Sequence, residues 1–123
     1  MVCEDHDPKQ GGCPISSAKF KSDIHYLEQN DLERLRDETL KFHLANYRYR
    51  PEFTNDPDAE HLGFIIEDNP QSPAVIQGRD RVDLYGYMSM VVATLQVQEQ
   101  EIQSLRKQLR TLQATGRTRV KGK

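Results

Sequence analysis

Ser16 and Lys21 are the residues whose types and spacing could support covalent catalysis in this chain. A serine hydroxyl becomes a nucleophile when a base takes its proton, and a lysine amine can be that base when desolvation or a nearby cation favours its neutral form. Lys19 could supply the cation and Phe20 an apolar wall. Serine and lysine are common, and a solvated lysine beside a serine is the ordinary case, so the pair alone is a weak signal.

Metal and cofactor chemistry have little support in the sequence. Cys3 and Cys13 are ten residues apart with only His6 between them, which falls short of a zinc ligand set. His43 and His61 lack the cysteine or carboxylate spacing of a metal site. We therefore expect no metal and no cofactor. The cysteines are predicted to be free thiols, with a disulfide as the alternative in an oxidising compartment.

The C-terminal part of the chain has an apolar pattern with a seven-residue period. We call these eight positions the seam, with the a positions first and the d positions after them: Met88, Leu95, Ile102, Leu109, and Val91, Gln98, Leu105, Leu112. The residues between them are mostly polar, so a single helix would leave the seam in water. The pattern therefore predicts a partner helix, although a long amphipathic helix folded back on its own core is an alternative.

Two charged residues beside the seam and one polar residue within it favour parallel self-association. Glu101 is at a g position and Arg106 at the following e position, the relation that pairs opposite charges between parallel helices in register. Gln98 at a d position lowers stability relative to leucine but favours one register and one strand number. The pattern itself leaves dimer and trimer open.

Composition limits the classes of protein to which the chain could belong. The chain has 123 residues, of which 36% are hydrophobic and 29% charged, with a net charge of -2. One small domain that depends on assembly is expected. No apolar run approaches the roughly 20 residues of a membrane span, so we expect a soluble protein without a membrane partner. Seven Lys or Arg residues and no acid follow Glu101. Nucleic-acid binding is nevertheless disfavoured, because no aromatic residues or reading module accompany the charge.

Local signals predict a mixture of short elements before the long helix. Residues 1–15 are expected to be a flexible lead-in, and Ile15 to Leu27 fits either a helical face or a short strand. We expect a first helix that is capped by Asn30 and Glu33 and ends near Lys41. Two antiparallel strands are predicted after it, at Asn46 to Arg50 and at Leu62 to Ile66, followed by an extended segment at Ala74 to Ile76 and a turn at Gly78 to Asp80. The last element is a long helix that is capped by Asp83 and stops before Gly116.

The order of several motifs resembles one known family. These motifs are Ser16-Ser17-Ala18-Lys19-Phe20-Lys21, Tyr47-Arg48-Tyr49-Arg50, Gly63-Phe64-Ile65-Ile66-Glu67 and Val82-Asp83-Leu84-Tyr85 before the heptads. Together they are similar to the self-cleaving intramolecular chaperone domain of phage tailspikes, endosialidases and tail fibres, over about Ser16 to Leu112. Ser17 and Lys19 stand where that family usually has Asp and Arg, and Ile66-Glu67-Asp68 stands where it has Ala-Gln-Glu.

The resemblance implies specific roles. Ser16 would be the nucleophile and Lys21 the general base of a Ser/Lys dyad that cuts one peptide bond, most plausibly Ile15–Ser16. It also implies a homotrimer, a fibrous client protein attached in cis or acting in trans, and a place in the cytoplasm during assembly or on a phage particle. Whether the chain is a fragment, a stand-alone protein or a remnant stays open.

The expected fold class is α+β, with a small body of short strands and helices followed by a long C-terminal helix in a parallel trimeric coiled coil. The expected domain limits are a flexible lead-in at 1–15, a chaperone and processing domain at 16–113 with its coiled coil at 84–113, and a basic disordered tail at 114–123. The expected function is chaperone-assisted trimerisation followed by self-release at Ser16. A non-cleaving trimerisation module and a regulatory coiled-coil adaptor are the alternatives.

Overall fold

The computed structural model describes residues 16–76, 78 and 80–121, with side chains described up to residue 116. The protein is α+β, with a small strand part and a long C-terminal helix, which confirms the expected class. Its elements in chain order are α1 (Gln29–Leu40), β1 (Leu44–Tyr47), β2 (His61–Phe64), β3 (Val75–Ile76), β4 (Arg81–Val82) and α2 (Leu84–Lys121), with 3-10 turns at Ala18–Phe20, Pro51–Phe53 and Ile66–Asp68. Cys3, Cys13 and the predicted lead-in lie outside the described residues.

The strands form two short antiparallel pairs. In the β1–β2 pair Leu44 lies opposite Phe64 and Tyr47 opposite His61. This confirms the predicted antiparallel pairing, although both strands begin and end earlier than predicted, and Ile66, the last residue predicted for the second strand, lies in a 3-10 turn. In the β3–β4 pair Val75 lies opposite Val82. Gly78, at φ 74°, and Asp80, at φ 51°, fall in the predicted turn between these strands, where glycine and aspartate tolerate positive φ.

Three aromatic rings join β2 to α2. The Phe42 and Phe64 ring centroids are 4.5 Å apart, and the Tyr87 ring meets them edge-on at 5.3 and 5.0 Å. Ala74, Val75 and Met90 complete the buried cluster. Such aromatic pairs add about 0.5–1.5 kcal/mol each beyond their buried area. The core therefore depends on the first turns of α2, which places the start of that helix firmly on the body.

Helices α1 and α2 run antiparallel along each other. The Thr39 hydroxyl donates a 3.4 Å hydrogen bond to the Met90 carbonyl at one end, and Gln29 Nε2 donates to Gln100 Oε1 at 2.6 Å at the other. The residues of α2 that are buried on this side recur at helical spacing: Met90, Ala93, Thr94 and Val97. This second stripe was not predicted from the sequence. It faces α1, whereas the seam lies on another side of α2.

Both helix starts are capped by acidic side chains. The Gly86 amide donates to Asp83 Oδ1 at 2.9 Å, which confirms the predicted cap of α2. The predicted Asn30 cap of α1 is wrong, because the Glu28 amide donates to Asp31 Oδ2 at 3.0 Å and the helix begins two residues sooner than the Asn30 cap required. That hydrogen bond, followed by the one from Arg34, lowers the pKa of the Asp31 carboxyl. The predicted end of α1 near Lys41 is confirmed.

The long helix was predicted to stop before Gly116, but in the structure it continues to Lys121. A single glycine inside a helix costs only about 1 kcal/mol relative to alanine, which is small enough for the helix formers Leu112, Gln113 and Ala114 before it to override.

Candidate active site

A 3-10 turn brings Ser16 and Lys21 together. The turn spans Ala18–Phe20, and its backbone is closed by hydrogen bonds from the Phe20 amide to the Ser17 carbonyl and from the Lys21 amide to the Ala18 carbonyl. It reverses the chain, so that Lys21 Nζ donates a 2.9 Å hydrogen bond to Ser16 Oγ. The two residues paired on sequence grounds are thus in direct contact, in the geometry that proton transfer from a hydroxyl to an amine requires.

Tyr85 is a third member of this cluster that sequence reasoning missed. Its hydroxyl lies 3.1 Å from Ser16 Oγ, across 69 positions of sequence. The residue is in the first turn of α2, two positions after the Asp83 cap. The sequence signal was weak, because a tyrosine at a helix start is ordinary and nothing local to it points to Ser16. The contact arises only because the body of the protein carries the start of α2 to the N-terminal segment.

The surroundings of the pair are open on the single chain. Ser16 and Lys21 are both exposed, and the Phe20 ring is 62% exposed. Lys19 Nζ lies 4.9 Å from the centroid of the Phe20 ring, so this cation sits over its neighbour's aromatic face. The apolar side chains that follow are exposed as well: Ile24, Tyr26 and Leu27. One copy of the chain therefore leaves both the pair and the apolar segment beside it accessible to water.

Other features of the described residues do not converge on this pair. An open groove of about 640 Å³ is lined by residues that include Tyr47, Tyr49 and Arg81, and neither Ser16 nor Lys21 lines it. His25 could have reached the pair from a helix, but residues 21–28 are not helical. Within the described ranges no group of three or more His, Cys, Asp or Glu residues is arranged to hold a metal ion.

The seam is exposed along most of its length. Val91 is half-buried, whereas the remaining seven positions are exposed: Met88, Leu95, Gln98, Ile102, Leu105, Leu109 and Leu112. Leu112, near the end of the seam, is 69% exposed. Gln29, at the start of α1, reaches Gln100, so the part of α2 after residue 101 extends beyond α1. That part is about 30 Å long at 1.5 Å per residue.

Glu101 already has a partner within the chain. Its carboxylate accepts a hydrogen bond from Arg36 Nη1 of α1. The second carboxylate oxygen leaves room for another donor. Arg106, the residue predicted to pair with Glu101 across helices, is exposed. The interchain pairing stays a prediction, and the intrachain pair was not foreseen.

Comparisons with known proteins add no family assignment. No protein-family model matches the chain, and a search of curated proteins finds no significant match. Among the described residues no helix has the length and apolarity needed to cross a membrane.

Proposed function

We propose that the protein is a trimerisation module of the intramolecular-chaperone type, which cuts its own chain between Ile15 and Ser16 once it has assembled. The observation that carries this proposal is the 2.9 Å hydrogen bond between Lys21 Nζ and Ser16 Oγ. A nucleophile and a base in direct contact are the minimum set for acyl transfer.

The proposed reaction has two steps. In the first, the Lys21 amine takes the proton of the Ser16 hydroxyl, and the oxygen attacks the carbonyl carbon of Ile15. The carbon–nitrogen bond to Ser16 breaks, its nitrogen takes the proton from Lys21, and the two parts of the chain stay joined by an ester. In the second, Lys21 takes a proton from water while the resulting hydroxide attacks the ester. The Ser16 oxygen leaves and is reprotonated, which releases a carboxyl end at Ile15 and an amino end at Ser16.

Self-association through the seam supports the assembly part of the proposal. Most helical stability in proteins comes from packing of an apolar face against other elements, so the length of α2 beyond α1 needs lateral support. The exposed Leu105 and Leu109 offer apolar surface at the spacing of a coiled coil. Parallel packing of further copies is the arrangement we propose, and the family resemblance favours three.

Assembly also offers a way to start the chemistry at the right time. A lysine amine accepts a proton only in its neutral form, and removal of water from an ammonium favours that form. Lys21 is exposed on the single chain. We propose that neighbouring copies cover the apolar segment around Phe20 and so remove water from the dyad. Cleavage would then follow correct assembly and release a fibrous client that lies before Ser16 or is held in trans.

The test follows the mass of the purified chain over time. The wild type should yield a species that begins at Ser16, whereas Ser16→Ala and Lys21→Ala should stay intact for at least about a hundredfold longer. Ser17→Ala and Lys19→Arg are the controls, because they change the same turn while Lys19→Arg keeps the positive charge, and both should leave cleavage near the wild-type rate. Cleavage of Ser16→Ala at the wild-type rate would rule out the dyad.

A second candidate is a trimerisation module that does not cleave. The exposure of both Ser16 and Lys21 favours it, because water around the pair is not what a lysine base requires. A stable trimer whose chains keep residues 1–15 would select this alternative.

A further inference from the structure

We propose that Tyr85 is a third catalytic residue, whose hydroxyl donates a hydrogen bond to the oxygen of Ser16 during attack. This inference rests on the proposed self-cleavage. The contact is the 3.1 Å distance between the Tyr85 hydroxyl and Ser16 Oγ, on the same oxygen that Lys21 Nζ contacts at 2.9 Å. Tyr85 therefore touches the reacting atom.

A count of protons decides which way the hydrogen bond points. The Ser16 hydroxyl has one proton, and in the reactive state this proton is donated to the neutral amine of Lys21. Ser16 then has no proton left to donate to Tyr85. In that state a hydrogen bond between the two hydroxyls has to be donated by the tyrosine and accepted by Ser16 Oγ, whereas in the observed 3.1 Å contact either oxygen could be the donor. A donor aimed at Ser16 Oγ stabilises the negative charge that this oxygen carries when Lys21 takes its proton, and again when it leaves in the hydrolysis step, so it favours both proton removal and ester cleavage.

Two hydrogen bonds, one before Tyr85 in the chain and one at its own carbonyl, hold the backbone of this residue in place. The Asp83 amide donates to the Ala74 carbonyl at 2.8 Å, which ties the helix start to the β3 region. The Ser89 hydroxyl donates to the Tyr85 carbonyl at 2.8 Å one turn later. A donor on a fixed backbone needs little reorganisation during the reaction, and this is the property that makes such donors effective.

The position of Tyr85 also connects the site to the coiled coil. In the heptad register Leu84 is a d residue and Tyr85 the following e residue, so Tyr85 flanks the axis of the assembly. Leu84 is 67% exposed and Tyr85 is 53% exposed on the single chain. A parallel partner helix packed on Leu84 would cover Tyr85 and exclude water beside Ser16. The same helix would thereby supply both the assembly surface and one group of the site.

The decisive variant is Tyr85→Phe, which keeps the ring and removes only the hydroxyl. We expect cleavage to slow by roughly tenfold to a hundredfold, less than for the loss of an oxyanion-hole donor, because Ser16 Oγ gives up its negative charge as it bonds to the carbonyl carbon. Oligomeric state and melting temperature should stay those of the wild type. Tyr87→Phe is the matched control from the same turn, because the Tyr87 ring packs on Phe42 and Phe64. This control should cleave at the wild-type rate.

A pH profile separates a catalytic from a structural role. Tyr85→Phe keeps the Lys21 base, so its rate should lie below the wild-type rate by a constant factor across the pH range and rise with pH in parallel. A loss of rate that follows a loss of assembled protein would overturn the inference, as would a wild-type rate in Tyr85→Phe. In those cases Ser16→Ala remains uncut and the dyad stands. If the wild type is itself never cut at Ser16, the proposed function and this inference are both wrong.

Discussion

Lys21 Nζ contacts the hydroxyl oxygen of Ser16 across a single 3-10 turn, with Lys21 as the donor of the 2.9 Å hydrogen bond. A charged ammonium donates in this way, whereas catalysis requires the reverse transfer, from the hydroxyl to a neutral amine. The same contact can thus serve a resting state and a reactive state that differ by one proton. Conditions that favour the neutral amine should therefore convert the resting state into the reactive state.

The first prediction concerns the base. Lys21→Arg keeps the positive charge, but a guanidinium does not lose its proton in proteins, so we expect cleavage to fall by at least about a hundredfold. The wild-type rate should rise with pH over the range studied, because the neutral amine is the active form. Mass spectrometry of time courses at several pH values measures both effects. Lys19→Arg is the control, and cleavage by Lys21→Arg at the rate of that control would contradict the assignment.

The second prediction concerns the seam. Replacement of Ile102 and Leu105 by Asp should produce monomers with reduced helix content, because charges at a and d positions would be buried at the axis without partners. Light scattering and circular dichroism measure the two effects. The control places the same two charges at Gln103 and Ser104, the neighbouring b and c positions, and should remain assembled. A seam variant that stays assembled would show that α2 does not associate through these residues.

The third prediction concerns Gln98. Gln98→Leu exchanges a polar d residue for an apolar one, so the melting temperature should rise by about 5 °C, which corresponds to roughly 1 kcal/mol in a domain of this size. The loss of a register-setting residue should also broaden the distribution of oligomers. Sedimentation velocity measures that distribution. A lower melting temperature with one unchanged oligomer would show that Gln98 lies away from the axis.

The fourth prediction separates the body from the coiled coil. Met90 is 1% exposed in the core, whereas Met88 is 61% exposed in the seam. Met90→Ala should destabilise the folded chain by about 2–5 kcal/mol in chemical denaturation. Met88→Ala should chiefly weaken assembly, and so make the melting temperature more dependent on protein concentration. Equal effects of the two substitutions on both measurements would contradict the division of α2 into two faces.

The fifth prediction concerns two glycines of α2. A Cβ at Gly86 would lie 3.0 Å from Asp83 Oδ2 and 3.2 Å from the Pro73 carbonyl, so Gly86→Ala should disturb the cap and cost about 1–2 kcal/mol. A Cβ at Gly116 would meet nothing within 4 Å, so Gly116→Ala should stabilise the helix by up to about 1 kcal/mol. Thermal unfolding measures both changes. No effect of Gly116→Ala would mean that the helix ends sooner than Lys121.

Local patterns in the sequence determined several features by themselves. The heptad spacing indicated a long helix after Asp83, because side chains at a regular period lie on one face wherever the chain is helical. Asp83 was identified as its cap because short acidic side chains accept hydrogen bonds from the amides of a first helical turn. The antiparallel pairing of the strands around Tyr47 and Gly63 followed from the apolar runs and the loop between them. Proximity along the chain also made Ser16 and Lys21 a possible pair.

Only the tertiary structure decided which distant groups meet. Tyr85 reaches Ser16 because the aromatic cluster and the β3–β4 pair hold the start of α2 against the body, and no periodicity encodes a contact across 69 positions. Glu101 was assigned to a neighbouring helix by its heptad position, but Arg36 of α1 contacts it within the chain. The stripe around Met90 lies on the same helix as the seam and was overlooked. Two apolar faces on one helix can be distinguished only once it is known which element packs against each face.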